Sequence, residues 1–360
     1  MGAEFETIQE IVLKAHRIMT PHVQEHVDGG SESETTLLRN RRSIDSLAFR
    51  PRVLQDVTSL DLSGTFLGKK LRLPVFLAPV GGLDQVHPEG AFHAVKAAAG
   101  FGIPVFLSSV NPLELEKAAE VSGENLVFQL YQQGDKDWLF AYLDRVNRAG
   151  CRAFCLTVDT AYYSRRERDI FNRYVPPGRE TGERPGFNYQ ATLTWDLVGR
   201  IKERLDIPLI LKGIGTAEDA RSAVEHGVDV VYVSNHGGRQ LDHDRGSIEI
   251  LQEVVEAVAG KAEVVVDGGF VRGTDILKAI ALGACAVGLG KLQAWALAAG
   301  GEVGVRRALE ILETEMSVSM GLLGVTKLDQ LDASYVQRVE PVKTPHRLSP
   351  FPSLEKLLGS

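Results

Sequence analysis

The chain has 360 residues, of which 44% are hydrophobic and 24% charged, so it is long enough to bury a large core. Its formal net charge of −7 argues against a nucleic-acid or membrane-surface partner and favours a small molecule. The three cysteines lack metal-ligand spacing, and no long apolar run or signal segment is present, which predicts a cytoplasmic protein without a metal site.

The N-terminal residues show helical periodicity. Apolar side chains recur at helical spacing from Ile8 to about His26, and Pro21 interrupts them, because proline ends or kinks a helix. Another helix, rich in arginine, is predicted over residues 34–45. We therefore expect residues 1–70 to form a helical segment that packs on the domain that follows.

From residue 71 to residue 328, short apolar runs alternate with helical patterns. Eight such runs are predicted to be buried strands: 75–79, 105–108, 126–130, 153–158, 209–212, 230–234, 263–266 and 284–289. Strands that are apolar throughout and alternate with helices are typical of parallel sheets covered on both faces. Eight repeats predict a closed (β/α)₈ barrel, with an open, doubly wound sheet as the alternative.

Several residues between the strands are suited to begin a helix. Asn111, Thr216 and Ser247 can each accept a hydrogen bond from a backbone N–H group of a first helical turn. Each is therefore predicted to be a helix cap.

Two segments do not fit the alternation of predicted strands and helices. Residues 160–195, between the fourth and fifth strands, contain several prolines and glycines. An interval of this length predicts a lid loop over a binding site. After a long amphipathic helix over residues 301–320, the tail at 329–360 is expected to pack at a subunit contact or to be partly disordered.

The predicted strands all end in polar or glycine-rich groups. In a (β/α)₈ barrel the carboxyl ends of the strands face one cavity, so these groups are expected to be neighbours. In chain order they are Pro79, Val80 and Gly81; Ser108; Gln129 and Tyr131; Thr157 and Asp159; Lys212; Ser234, His236 and Arg239; Asp267, Gly268 and Gly269; and Gly290 with Lys291. Each alone is compatible with ordinary turn chemistry, but eight together favour an active site.

The run at 229–242 carries the clearest chemistry. A buried strand leads directly to His236 and Arg239. A neutral imidazole accepts a proton near pH 7, and a guanidinium holds a carboxylate through paired hydrogen bonds. Asp159 can orient the imidazole and increase its basicity. Arg166 can provide a second positive charge for the carboxylate, and Tyr131 can contact a hydroxyl or ketone oxygen.

Lys212, at the end of the fifth predicted strand, has two possible roles. It can form a Schiff base, or it can be a fixed cation beside a cofactor. The glycine-rich ends at 267–269 and 288–291 lie where barrels bind phosphate groups. The sequence therefore predicts a cofactor that carries a phosphate.

The segment at 234–242, Ser-Asn-His-Gly-Gly-Arg-Gln-Leu-Asp, resembles the signature of the FMN-dependent α-hydroxy acid dehydrogenases and oxidases. Further segments that match this family in order lie at 78–79, 107–109, 128–131, 156–160, 165–167, 212–213, 267–269 and 272–275. The resemblance implies an FMN-binding barrel, a homotetramer and the oxidation of a 2-hydroxy acid to a 2-oxo acid. The acceptor that reoxidises the flavin, oxygen, a quinone or a protein, stays open.

The resemblance also implies roles for individual residues. His236, paired with Asp159, would remove a proton while the electrons of the α-carbon reach flavin N5. Arg239 and Arg166 would hold the substrate carboxylate, and Tyr131 the substrate oxygen.

The same resemblance implies a set of cofactor contacts. Lys212 would lie beside flavin N1 and O2 and stabilise the anionic reduced ring. The other residues implied to bind FMN are Ala78, Pro79, Val80, Gly81, Ser108, Gln129, Thr157, Ser234, Asp267, Gly268, Gly269, Arg272, Gly290 and Lys291.

Four positions depart from the family pattern. His26 stands where a tyrosine commonly contacts the substrate, and Val110 where an aromatic residue is common, which predicts a roomier pocket and a substrate larger than glycolate. Val271 and Lys291 replace arginines that commonly bind the flavin phosphate, which predicts weaker FMN binding unless the adjacent Arg272 contributes. The alternative functions are a flavin-dependent isomerase and a Schiff-base lyase that uses Lys212.

Overall fold

The computed structural model describes residues 4–176 and 188–354, so part of the predicted lid, 177–187, lies outside the described residues. The strands are β1 (Leu47–Phe49), β2 (Gly64–Phe66), β3 (Lys69–Leu71), β4 (Val75–Leu77), β5 (Val105–Ser108), β6 (Leu126–Leu130), β7 (Ala153–Thr157), β8 (Leu209–Ile214), β9 (Val230–Val233), β10 (Glu263–Val266), β11 (Ala286–Leu289) and β12 (Val336–Arg338).

Eight of the strands in the described ranges, β4 to β11, form a closed parallel barrel. Strand β11 pairs with β4, with Val287 opposite Val75, and this pairing closes the sheet. The predicted barrel is confirmed and the open sheet is wrong. Inside it, the rings of Phe76 and Phe106 pack with centroids 4.6 Å apart, and Tyr232 packs edge-on against both.

Helices surround the barrel and precede it. They are α1 (Ile8–Ile18), α2 (Pro21–Asp28), α3 (Thr35–Asp45), α4 (Gly90–Phe101), α5 (Leu115–Ser122), α6 (Lys136–Arg148), α7 (Glu167–Phe171), α8 (Trp195–Arg204), α9 (Ala217–Glu225), α10 (Ser247–Val258), α11 (Gly273–Ala281) and α12 (Lys291–Leu323). Helix α12 has non-helical backbone at Gly300 and Gly301, so the predicted amphipathic helix is its second half. No helix in the described ranges combines the length and apolar character needed to cross a membrane.

Of the three predicted caps, one is confirmed. Thr216 accepts a hydrogen bond from the Asp219 backbone N–H. Asn111 was the wrong cap, because its side chain instead bonds Leu83 and Val80 in the loop after β4. Ser247 is the first residue of α10, whose cap is Gly246, so that prediction was wrong by one residue.

The N-terminal helices pack on the barrel through apolar and charged contacts. Ile8, Ile11 and Val12 of α1 are fully buried in the core shared with α12. In α3, Arg41 forms a buried ion pair with Asp275 at 2.8 Å. Helix α3 is thereby held against the first turn of α11, next to the phosphate-binding end predicted from the sequence.

The tail, expected to pack at a subunit contact or to be partly disordered, contacts the chain itself through its described residues. Strand β12 pairs with β1 in antiparallel fashion, and Leu348, Phe351 and Leu354 are buried. Its described residues, 329–354, therefore pack on β1, on Trp295 of α12 and on residues of the N-terminal helices. The sequence did not indicate this because the contacts join residues about 300 positions apart.

Candidate active site

A cavity of about 470 Å³ opens at the carboxyl ends of the barrel strands, within the range of about 300–1,000 Å³ common for small-molecule sites. The structure brings most of the predicted site residues to its wall. Those residues are His26, Ala78, Pro79, Val80, Gly81, Val110, Tyr131, Arg166, Lys212, His236, Arg239, Asp267, Gly268, Gly269, Gly290 and Lys291.

His236 lies in the loop that follows β9. Its backbone has the left-handed φ of 59°, and Gly237 continues in that conformation. Asp159 Oδ1 and Oδ2 lie 3.0 and 3.1 Å from the ring Nδ1. Tyr131 Oη lies 3.2 Å from Nε2. The carboxylate thus fixes one ring nitrogen, and the other faces the cavity.

The electrostatics favour a neutral imidazole. Burial lowers the pKa of His236 below its ordinary value, although Asp159 acts in the opposite direction. Burial alone would raise the pKa of Asp159, but its interaction with the His236 ring and the positive charge of Lys212 hold it below its usual range. Burial raises the pKa of Tyr131, so its hydroxyl stays protonated. Near neutral pH, His236 Nε2 can accept a proton, and Asp159 stabilises the imidazolium that forms.

Two arginines face the same space. Arg239 Nη1 donates to the backbone oxygens of His26 and Gly29 at 2.6 and 2.9 Å. Burial, reinforced by the charge of Arg166, lowers the pKa of Arg239 to about 9. Arg166 Nε is buried without a hydrogen-bond partner in the described ranges, and its guanidinium lies 4.4 Å from the Tyr163 ring centroid. A bound carboxylate would offset the repulsion between the two guanidinium groups and would accept a hydrogen bond from Arg166 Nε.

His26 is attached to this arginine pair. Its Nδ1 lies 2.9 Å from Asp169 Oδ2, and its Nε2 lies 3.3 Å from Arg239 Nη2. Burial lowers the pKa of His26, against the effect of Asp169. A neutral ring with its proton on Nδ1 therefore accepts a hydrogen bond from Arg239 and orients the guanidinium.

Lys212 is part of a buried polar network. Its Nζ donates to Ser234 Oγ at 2.8 Å and lies 3.8 Å from Asp267 Oδ2. Ser234 donates to Asp267 Oδ1 at 2.6 Å, and Tyr232 donates to Oδ2 at 2.8 Å. An ammonium held in this way is suited to a fixed cation, which argues against the Schiff-base role.

The predicted phosphate end has open backbone at Gly290 and the amine of Lys291. A side-chain carbon added to Gly290 would contact no atom within 4 Å, so the backbone there is open to a ligand. Burial lowers the pKa of Lys291 to about 7. Val271 is buried, and its N–H donates to Asp275. Arg272, implied to bind the cofactor, instead pairs with Glu315 at 2.8 Å and does not line the cavity.

Four further predicted residues do not line the cavity and lie at or next to the carboxyl ends of β5, β6, β7 and β9: Ser108, Gln129, Thr157 and Ser234. Ser108 Oγ and Gln129 Oε1 are buried without hydrogen-bond partners in the described part of the chain. Orphaned polar atoms beside a cavity indicate a polar ligand. Together with the cations, they fit the flavin and phosphate of FMN.

Sequence reasoning missed several wall residues. Arg41, Gln190, Trp295 and Arg347 also line the cavity. The arginine-rich pattern of 34–45 was a weak signal for Arg41. No local pattern indicated Arg347, because only the tail's long-range packing brings it here.

A base, paired cations and a phosphate-binding end on a (β/α)₈ barrel define an enzyme that takes a proton from an anionic substrate beside a phosphorylated cofactor. The sequence model of the FMN-dependent dehydrogenase family matches residues 15–338, and the chain belongs to this family. It is an oxidoreductase that uses FMN. The isomerase and lyase alternatives are not favoured.

Individual relatives cover nearly the whole chain. The L-lactate oxidase of Nostoc sp. is 40% identical over 332 residues, which are 85% of this chain and 91% of that protein. The glycolate oxidase of Spinacia oleracea is 36% identical, over 92% and 96% of the two chains. Among solved structures, mandelate oxidase with benzoyl-formic acid has a TM-score of 0.87 and 36% identity, covering 94% of this chain and 100% of that one.

Proposed function

We propose that this FMN-dependent enzyme oxidises a 2-hydroxy acid larger than glycolate to the 2-oxo acid, with His236 as the base. The observation that carries the proposal is the arrangement of His236, Asp159 and the two arginines around one cavity. A base and a carboxylate clamp beside each other suit a substrate whose hydroxyl and carboxylate are on adjacent carbons. The oxidase names of the relatives support the same reaction.

The chain's own residues have distinct tasks in this reaction. Arg239 and Arg166 bind the carboxylate and place the substrate hydroxyl near His236 Nε2. His236 takes the proton, and Asp159 stabilises the resulting imidazolium. Tyr131 donates a hydrogen bond to the substrate oxygen. FMN, when bound, would supply the acceptor for the hydrogen of the α-carbon together with its two electrons.

FMN itself is assigned to the inner wall of the cavity. Lys212 would be the fixed cation beside the ring, because its ammonium is already held by Ser234 and Asp267. The backbone at Gly269 and Gly290 would bind the phosphate, with Lys291 nearby.

The preference for larger acids depends on two side chains at the cavity wall. Val110 is small and packs against Gly81, where an added side-chain carbon would lie 2.4 Å from Val110 Cγ2. His26 is fixed at the cavity wall by its contacts with Asp169 and Arg239. Both features leave room for a branched or aryl substituent on the α-carbon.

The test is a panel of 2-hydroxy acids from glycolate to aryl acids, each mixed with the flavin-loaded enzyme without air. Bleaching of the yellow flavin reports substrate oxidation independently of the acceptor. We expect larger acids to give a higher kcat/KM than glycolate. Fastest bleaching by glycolate would refute the size preference, and no bleaching by any member would refute the 2-hydroxy acid substrate.

We further propose oxygen as the acceptor, on the support of the oxidase relatives. Admission of air should restore the flavin colour with formation of hydrogen peroxide, whereas a dye-only response would indicate a dehydrogenase. A homotetramer in the cytoplasm is also proposed, from the family resemblance and the free cysteines. Light scattering should give four times the chain mass.

A further inference from the structure

The phosphate end of the cavity has few free cations in its barrel loops. Val271 offers no side-chain donor, and Arg272 is engaged by Glu315. Lys291 Nζ donates to the backbone oxygens of Asp28 and Gly29, and burial lowers its pKa to about 7. A phosphomonoester near neutral pH carries close to two negative charges, so these loops alone match it poorly.

Arg347 of the tail reaches the same end of the cavity. It lines the wall together with Gly290, Lys291 and Trp295, and it pairs through Nη1 with Asp28. Asp28 is almost fully buried and also accepts from Trp295 Nε1 at 3.0 Å. A guanidinium has five N–H groups in a planar fork, so Arg347 retains donors for an anion while Asp28 fixes its position.

Two separate anchors hold the tail at this place. The Phe351 ring packs edge-on against Trp295, with centroids 6.3 Å apart, on the helix that begins at Lys291. On the other side, Ser349 Oγ donates to Asp45 Oδ2 at 3.2 Å.

The second anchor, between Ser349 and Asp45, connects the tail to the other phosphate-binding loop, at 267–269. Asp45 pairs with Arg41, and Arg41 also pairs with Asp275 and donates to the Gly269 backbone oxygen at 3.1 Å. The tail thus contacts the supports of both glycine-rich loops. Arg347 lies beyond residue 338, where the match to the family model ends.

We propose that Arg347 is a ligand of the FMN phosphate, and that the tail provides the positive charge that the barrel loops lack at Val271 and Lys291. FMN binding and the ordering of the tail are then coupled, because the anion and Asp28 hold the same guanidinium. The proposal rests on the FMN dependence of the enzyme and is independent of its hydroxy acid substrate.

The test compares FMN with riboflavin, which has the same ring system without the phosphate. Full-length protein is stripped of flavin, and each ligand is titrated by quenching of flavin fluorescence. Arg347→Gln should weaken FMN binding about tenfold or more, the effect of one lost charge-assisted hydrogen bond, and leave riboflavin binding unchanged. The FMN dissociation constant of Arg347→Lys should lie between those of the unaltered chain and Arg347→Gln. Arg338→Gln, at an exposed position of β12, is the matched control and should bind FMN like the unaltered chain.

A second measurement uses the unaltered chain and so does not depend on the folding of a variant. Tryptic cleavage after Arg347, followed by mass spectrometry with cleavage after Arg338 as the internal reference, should be slowed by FMN and not by riboflavin. An unchanged FMN dissociation constant in Arg347→Gln would overturn the proposal. So would equal losses for FMN and riboflavin, or equal protection of the tail by the two ligands.

Discussion

At the scale of single residues, His236 is subject to two opposing effects. Burial lowers its pKa and keeps the ring neutral, while Asp159 raises it and stabilises the protonated form. A base needs both properties, since it must be free of its proton before the reaction and hold one afterwards. The contact of Nδ1 with Asp159 also determines the tautomer, so Nε2 is the nitrogen that accepts the proton.

Replacement of the base should separate chemistry from cofactor binding. We expect His236→Ala to retain FMN. Its rate of flavin reduction by the hydroxy acid should fall about 10²- to 10⁴-fold, because that is the usual contribution of a positioned base. Anaerobic stopped-flow bleaching with a saturating hydroxy acid measures this rate. His22→Ala, on the exposed side of α2, is the control. An unaltered bleaching rate in His236→Ala would remove this residue from the mechanism.

Asp159→Asn should change both the rate and its pH dependence. In the unaltered enzyme, kcat/KM for flavin reduction should rise with pH through the pKa of His236, below the ordinary 6.5, and then level off. Loss of the carboxylate removes the effect that raises this pKa, so the acid limb should move to lower pH. The plateau rate should fall, because the imidazolium loses its partner. An acid limb that moves to higher pH would contradict this assignment.

At the scale of elements, α7 is attached to the N-terminal helices and supports the carboxylate clamp. Arg168 forms ion pairs with Glu34 and Glu25, both at 2.6 Å. The next residue, Asp169, holds His26, which in turn contacts Arg239. The described part of the lid loop is therefore connected to Arg239 through His26, and also through Ser164, whose Oγ donates to the Arg239 backbone oxygen at 2.6 Å.

This connection predicts the phenotype of Asp169→Asn. The weaker bond to His26 should loosen Arg239 and raise KM for the hydroxy acid about threefold to tenfold, equivalent to a typical net hydrogen bond. The maximal rate of flavin reduction should change less, since His236 and Asp159 are untouched. Asp144→Asn, which removes an exposed ion pair with Arg204, serves as the control. A fall in the maximal rate with constant KM would place Asp169 in the chemistry and contradict a positioning role.

Much of the barrel was predictable because buried parallel strands are apolar along their length, and a run as short as 153–158 is too brief to form a helix of the barrel. The pairing of His236 with Asp159 was predictable for a related reason, as both follow strands whose carboxyl ends share one face. The prediction of Asn111 as a helix cap was wrong because its side chain hydrogen-bonds to Leu83 and Val80 in a neighbouring loop. The position of Arg347 at the cavity could not be predicted from the sequence, since it depends on the burial of Phe351 and on an ion pair with Asp28, 319 residues away.

At the scale of the whole molecule, the N-terminal helices, barrel and tail share their contacts. Ion pairs link α3 to α11 through Arg41 and Asp275, and β12 of the tail pairs with β1. Breaking a buried ion pair of this kind typically costs about 3–5 kcal/mol. If one of the three segments detached, the surfaces of the others that it buries would become exposed. The boundaries of the segments at 70 and 328 stay a prediction.

The shared contacts predict that the chain unfolds as one unit and that FMN stabilises all of it. Calorimetry should show one transition, because α1 is buried against α12, β12 of the tail pairs with β1, and Arg347 of the tail lines the cavity. FMN at about a hundredfold excess over its Kd should add about 2.7 kcal/mol to the free energy of unfolding, since it binds only the folded chain. The whole transition should then move to higher temperature. Riboflavin at the same concentration should move the transition less, because it lacks the phosphate that the glycine-rich loops and Arg347 would bind. A separate, FMN-insensitive transition at lower temperature would show that the N-terminal helices or the tail are not coupled to the cofactor site.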